Sequence, residues 1–385
     1  MKTNLFLCLL SSILIVGCNS SDDSYLIEFD VNKNYPVYDI KLSDVAEVKY
    51  IELKGLNTFW VNNDISAKIL VCEDFILIGD RNSVESKLVL FDADGNFIRI
   101  IGTYGRGPGE FLEQFTFVVD TSAQKIIVHS IDQKLFIKFD FTGNMIDYHQ
   151  INERFYQTAF INNQVIGYNY RSRYFSYISN TVKGSGVSLH AYDIGKFKPL
   201  SIGDIKYDRP YNGKIGLINN LTKVKDGCYI TSFQSDTIYF VDSSLRIYPR
   251  FVNKRYSDDI NISIFPVLEA EDYILFSTES EMNVECKRDM FMLRKRDNKI
   301  FRLSNNNSYA LNYKAKLLNN ELALNQFTLT QNHNIAAVLL PYELLQKNYS
   351  ILTNDLKNIV DKMTDNSNPI LVLITARTGS ISCIN

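Results

Sequence analysis

Proline is scarce, with 8 in 385 residues, and histidine scarcer, with 4 (His129, His149, His190 and His333). Imidazoles scattered without metal-ligand spacing, and cysteines of which no two form a Cys-x-x-Cys, leave a zinc site unsupported. Neither sign of charge dominates. Forty-one Lys+Arg face 43 Asp+Glu, a net charge of -2, which removes any bulk attraction to nucleic acid or to an anionic membrane. The apolar run from Leu5 to Val16 is too short to span a bilayer. What is plentiful is tyrosine (23) and phenylalanine (24), and with so little proline that balance favours strands.

The N-terminal stretch "MKTNLFLCLLSSILIVGCNSSDDS" places Lys2 before the apolar run and Ile15-Val16-Gly17-Cys18 after it, the layout of an export signal. The four residues resemble a bacterial lipobox. That resemblance implies removal of residues 1–17, lipidation of Cys18, an 18–30 tether and a folded domain over 31–385. Small Gly17 suits a peptidase pocket, and the thiol is the nucleophile that diacylglyceryl transfer requires. Several acyl chains hold a protein on a membrane where one does not. Asn19 follows the cysteine in place of the aspartate of inner-membrane retention, and Asp22-Asp23 resembles the surface-export signal of Bacteroidetes lipoproteins. The expectation is an outer-membrane lipoprotein facing the periplasm or the cell surface. A plain secretory signal with a chance cysteine, or a buried helix, is the alternative. With Cys8 removed and Cys18 acylated, Cys72, Cys228, Cys286 and Cys383 remain and are expected as free thiols, Cys72 and Cys228 lying too far apart to bond and Cys286 and Cys383, from adjacent units, being the pair left open.

A repeat organises the rest. "KLVLFDADGNFIRIIG" reads as strand, tight turn at Asp94-Gly95, strand. "KLFIKFDFTGNMIDYHQI" repeats it, with Gly143 and Asn144 matching Gly95 and Asn96. Asp92, Asp140, Asp193, Asp242 and Asp297 recur at intervals of 48 to 55 residues, and "LVLITARTGSI" puts Thr375 in the same place after a longer gap. That gap holds "PYELLQKNYSILTNDLKNIVDKM", whose apolar residues recur at helical spacing and predict a helical insertion at about 341–363. Six such units, each with a preceding strand such as "FILIGD" or "YILFST", predict an all-β six-bladed propeller of four-stranded antiparallel blades. "VYDIKLSDVAEVKYIEL" has strand character and no unit of its own, and is expected to close the last blade, since an open ring leaves two sheet edges exposed. A jelly roll or a pair of sandwiches fits the near-constant period less well.

Asp120 with "KIIVHSIDQKLFIKFDFTGN", and "GTYGRGPGEF", resemble NHL-type repeats, and "LKNIVDKMTDNSNPILVLITA" is similar to the closing motif of the Bacteroidetes six-bladed propeller lipoproteins. The resemblance covers nearly the whole mature chain. It implies a fold and an address without an agreed activity.

Candidate sites carry two readings each. Gly102, Gly105, Gly107 and Gly109 lack the spacing and lysine of a phosphate loop, so the loop is either an inter-blade connection or a weak anion site at Arg106, with Glu110 pairing Arg106 or capping loop backbone. The recurring aspartates either bond turn N–H groups or ligate metal, and turn bonding suits their position. "YNYRSRYFSY" gathers Tyr168, Tyr170, Arg171, Arg173 and Tyr174, and "YDRPYNG" supplies Tyr207, Arg209 and Tyr211. Flat rings beside guanidinium forks suit a glycan or peptide surface; the alternative is a strand with an aromatic inner face. No catalytic or metal-ligating set emerges. The expected function is a monomeric binding platform, held to the membrane through Cys18, for a glycan, peptide or outer-membrane partner and not for nucleic acid. The alternative is a calcium-dependent hydrolase or lyase with its site in the central channel.

Overall fold

The computed structural model describes residues 26–38, 46–56, 68–80, 87–176, 181–193, 195, 198–214, 221–232, 235–254, 262–280, 289–303, 328–329, 335–347 and 349–377. Cys18, Cys286 and Cys383 lie outside them.

Three N-terminal strands come first, β1 (Ile27–Asp30), β2 (Val37–Tyr38) and β3 (Ala46–Glu52). Blade one is β4 (Lys68–Val71), β5 (Phe75–Asp80), β6 (Lys87–Asp92) and β7 (Phe97–Ile101). A short parallel pair, β8 (Thr103–Tyr104) and β9 (Glu110–Phe111), precedes blade two: β10 (Phe115–Asp120), β11 (Lys125–Ser130), β12 (Leu135–Asp140) and β13 (Met145–Gln150). Blade three is β14 (Gln157–Ile161), β15 (Gln164–Ser176), β16 (Thr181–Asp193) and β17 (Lys198–Lys214). Blade four is β18 (Leu221–Val224), β19 (Gly227–Ile230), β20 (Thr237–Asp242) and β21 (Ile247–Lys254). Blade five is β22 (Ile262–Glu269), β23 (Tyr273–Ser280), β24 (Met290–Arg294) and β25 (Lys299–Leu303). Blade six takes β26 (Thr328–Leu329), β27 (Ile335–Leu340) and β28 (Ile370–Ala376) from the end of the chain and β3 from its beginning. The six antiparallel sheets form a ring, a six-bladed propeller, with the first strand of each blade innermost.

Burial follows distance from the channel. Every residue of β5 is buried and β6 is buried except at its ends, because both faces of a middle strand meet a neighbouring blade. The outer strand β7 alternates, with Ile98 and Ile100 exposed between half-buried Phe97 and Arg99 and buried Ile101. Middle strands therefore read as continuous apolar runs and outer strands as alternation.

The aspartates at the ends of the third strands hold the outer hairpins. Asp92 Oδ1 accepts from the N–H groups of Asp94 at 3.0 Å and Asn96 at 2.8 Å, and Oδ2 accepts from Asn96 Nδ2 at 2.9 Å. Asp140 repeats the arrangement with Asn144 N–H at 2.9 Å and Thr142 Oγ1 at 2.6 Å, and Asp242 with Ser244 and Arg246 N–H, both at 2.9 Å. The side-chain amide of Asn96, aided by these backbone donors, holds the Asp92 carboxyl below the usual carboxylate range. Turn stabilisation is thus the role of these carboxylates.

The ring closes through β3, which pairs antiparallel with β28 from Ala46↔Ala376 to Glu52↔Ile370. Asn368 Nδ2 fastens the end of β3, donating to the carbonyls of Leu53 at 3.0 Å and Leu56 at 2.9 Å. The first outer hairpin then docks on this seam, with Lys54 N–H donating to Gly95 O and Phe97 N–H to Lys54 O, both at 2.8 Å. Gly95 has φ +86°, and a Cβ there would stand 2.4 Å from Glu52 O, so both backbone conformation and space require glycine.

The N-terminal segment does more than close the ring. β1 adds a parallel fifth strand to the outer edge of blade four, Ile27↔Phe251 to Asp30↔Lys254, and β2 does the same for blade five, Val37↔Arg302 and Tyr38↔Leu303. This corrects the expectation that 18–30 is tether throughout and that Val37 belongs to the closing strand. The cause is burial: Phe29 is 1% exposed and meets Phe291 edge-on at 4.9 Å, with Phe276 at 5.7 Å.

Helices α1 (Tyr342–Lys347) and α2 (Asn354–Val360), joined by a 3-10 turn at Tyr349–Ile351, occupy the link between β27 and β28. Thr353 caps α2, its Oγ1 accepting from Leu356 N–H at 3.4 Å. Leu345, Leu356 and Val360 bury one face of the pair against blades five and six.

Two expectations follow. Deleting residues 37–53 removes β2 and β3 and leaves the β28 edge unpaired, and the variant is expected to self-associate or lose cooperative unfolding in size-exclusion and thermal measurements. A monomeric, cooperatively folded product would show that the ring closes otherwise. The second concerns His129, buried between Phe136 and Phe155 at ring distances of 4.9 and 5.2 Å. Its Nε2 accepts from Phe155 N–H at 3.0 Å, so the neutral ring carries its proton on Nδ1, and burial pushes its pKa from 6.5 down to about 3. Below pH 6.5 the unfolded chain binds a proton that the fold does not. Stability present above that pH is therefore lost, at about 1.4 kcal/mol per pH unit, as pH falls toward about 3. Chemical denaturation of wild type and His129→Phe across that range measures it, the variant's stability falling less steeply with pH.

Candidate functional site

In blades one to five the hairpins joining first to second and third to fourth strands open on one face of the ring. The central channel reaches this hairpin face past two lysines of the inner strands. Lys68, on β4, donates its ammonium to Thr116 Oγ1 at 3.0 Å, Thr158 O at 3.0 Å and Thr158 Oγ1 at 3.3 Å, as well as to Phe117 O. It staples the inner strands of blades one, two and three. Lys223, on β18, donates to the carbonyls of Val224 and Lys225, and burial lowers its pKa.

Two adjoining depressions mark this face. One, at the channel mouth, is about 360 Å³ and is lined by Cys72, Asn162, Lys223, Lys225, Asp226 and Ser243 among others. The other is a cleft of about 620 Å³ between blades four and five, which shares Lys225 and Asp226 with the first. Its floor is aromatic. Tyr229 and Phe240 lie 5.3 Å apart and Phe240 and Tyr248 5.5 Å apart, ring centre to ring centre. Arg250 on β21 and the hairpin after β18 form one wall; Glu269, Glu271 and Lys295 of blade five form the other, and Ile27 of β1 contributes an edge. Lys295 Nζ is held by Glu269 Oε1 at 2.6 Å and Ala270 O at 2.7 Å. Burial, with Glu269 alongside, raises the Tyr229 phenol well above its ordinary range.

The thiols here are protonated. Cys72 is half-buried and Cys228 fully buried, both free, and burial pushes each pKa up to about 12. Among the described residues no three His, Cys, Asp or Glu side chains are grouped to hold a metal ion.

The residues singled out in the sequence lie elsewhere. Tyr168 is fully buried in the core shared by blades three and four, with Ile166, Leu189 and Ile205; its ring fills the core and does not stand on a rim, because β15 is a middle strand of its blade. The backbone of "YNYRSRYFSY" and "YDRPYNG" is brought together, since Ser172 and Tyr211 both pair with Gly184 of β16. These strands continue past the end of β14 on the face opposite the hairpins. The side chains of Tyr170, Arg171, Arg173, Tyr174, Tyr207, Arg209 and Tyr211 lie outside the described residues. Arg106 is exposed in the glycine-rich connection from blade one to blade two, also opposite the hairpins. There Glu110 caps the loop, its Oε2 accepting from Gly107 N–H at 2.7 Å. Gly102, at φ +64°, leaves no room for a Cβ, which would stand 2.6 Å from the Phe111 ring. The cleft itself has no sequence motif, because its lining comes from residues between Ile27 and Ala376 that meet only in the closed ring.

Comparison with solved structures agrees with the fold. A protein of Bacteroides fragilis NCTC 9343 assigned to export superposes with a TM-score of 0.63 at 16% identity, over 92% of this chain and 100% of that one. A DUF4221 family member from Bacteroides vulgatus ATCC 8482 gives 0.51 at 9% identity, over 90% and 99%. At such identities the likeness is one of fold. No curated protein matches the sequence. Residues 26–375, from the strand on blade four to the last strand of blade six, match one family throughout, and the chain belongs to that family, Domain of unknown function (DUF4934).

Proposed function

We propose that this protein is an exported, lipid-anchored binding protein whose propeller presents the cleft between blades four and five to a small ligand. The cleft carries the reading: about 620 Å³ is the size of a small-molecule site, and an aromatic floor ringed by a few charged groups is the usual lining of one. Export is supported by the signal-like N-terminus, by the Gly17-Cys18 junction and by the exported fold neighbour. The long strands of blade three, with Tyr170, Arg171, Arg173 and Tyr174, suit a larger glycan, peptide or outer-membrane partner on the opposite face, and the NHL-like lipoprotein resemblance accords with such an address.

Two measurements test this. Cys18→Ser is expected to move the protein from membrane to soluble fractions and to abolish the mass added by acylation; a variant held as firmly as the parent rejects the anchor. For the cleft, the neutral fluorophore N-phenylnaphthylamine is expected to bind once per chain, and Tyr248→Ala, which removes part of the floor, to weaken it several-fold, about 1 kcal/mol for a lost aromatic contact. Equal affinity in both proteins rejects the cleft as the site.

A further inference from the structure

The charges around the cleft divide by burial. Lys225, Asp226 and Glu271 are exposed at hairpin tips, where solvent and salt screen them. Lys295 and Glu269 neutralise each other at 2.6 Å. What remains is cationic. Arg250 is half-buried on β21, its guanidinium 5.9 Å from the Phe251 ring, and it forms no ion pair among the described residues. Lys223, where the cleft meets the channel mouth, has its ammonium on backbone carbonyls alone and likewise forms no ion pair among the described residues. Arg250, half-buried and outside any ion pair among the described residues, stands beside a floor of Tyr229, Phe240 and Tyr248, and Lys223 adds a second positive charge that Asp226 and Glu269 offset only at a distance; together they are complementary to a negative group carried on a flat apolar body. A charge in a partly dry site gains more from a counter-charge than one in open water.

We propose that the cleft binds an organic anion, a carboxylate, sulfonate or sulfate on a planar apolar body, with the acid group at Arg250 and the body on the Tyr229–Phe240–Tyr248 floor. The assignment rests on the cleft being the binding site. Arg250 is the specificity-determining residue, and Lys223 draws the same charge from the channel side. A neutral ligand of the same shape gains the floor and loses the anchor.

The test pairs two fluorophores of nearly the same body, anilinonaphthalene sulfonate and the neutral N-phenylnaphthylamine, titrated against the purified protein at low and moderate salt. The sulfonate is expected to bind once per chain and at least about tenfold more tightly, the return on one charge-assisted contact. Arg250→Met is expected to erase that margin while leaving the neutral probe and thermal unfolding unchanged, and Arg250→Lys to retain part of it. If Arg250→Met lowers thermal stability, the decision passes to Arg250→Lys and Lys223→Met, each of which must shrink the margin. Equal affinity for both probes, or a margin untouched by these variants, overturns the anion assignment while the cleft stands. If Tyr248→Ala changes the binding of neither probe, the cleft reading falls and this assignment with it.

Discussion

Everything in this molecule depends on seven residues from the beginning of the chain lying beside seven from its end. The ladder between β3 and β28 turns five complete blades and one incomplete blade into a ring. Without it the inner strands have no fixed circle to line, the hairpin face has no common plane, and the aromatic floor of blade four has no fixed wall in blade five. A propeller holds its shape because each blade is wedged between two others, and wedging works only when the series has no free end. The Gly95 hairpin resting on the seam at Glu52 and Lys54 shows how closely blade one depends on that closure.

The channel contrasts two uses of a buried cation. Lys68 is surrounded by hydroxyl and carbonyl oxygens from the two neighbouring inner strands, β10 and β14, so its charge is dispersed over groups that must stay in place for the blades to keep their spacing. Among the described residues Lys223 gives its hydrogen bonds to carbonyls of its own strand end and hairpin. One lysine holds blades together; the other is left facing a depression. The same division separates Lys295, neutralised by Glu269, from Arg250. In each pair the residue bound to a neighbour belongs to the architecture, and the remaining one is the one to which the proposal gives recognition.

Much of the architecture was legible in the chain because its signals are local. An aspartate that bonds the N–H groups two and four residues ahead announces the outer hairpins of blades one, two and four, and fully buried middle strands announce themselves as apolar runs such as "FILIGD" and "LVLF". The helical insertion showed its own period. β1 and β2 were not legible, since four and two residues carry no periodicity, and what seats them is Phe29 against Phe276 and Phe291, far away in sequence. Tyr168 misled for a related reason: beside two arginines it resembles a binding surface, yet it lies on a middle strand, both of whose faces are covered by neighbouring blades. The cleft was illegible because its residues become neighbours only after the ring has closed.

The direction of β1 has a mechanical consequence. It runs parallel to β21 and reaches blade four from the hairpin side, so a pull on residue 26 away from that face acts along the strand axis. Its ladder bonds are then loaded together, in shear, instead of opening one after another as in a peeled hairpin. β2 is the next element in line, and only after both have slipped does tension reach the strand that closes the ring. The N-terminal segment is thus arranged as two sacrificial grips in series, which keep load at the chain's beginning from reaching the seam on which the ring depends.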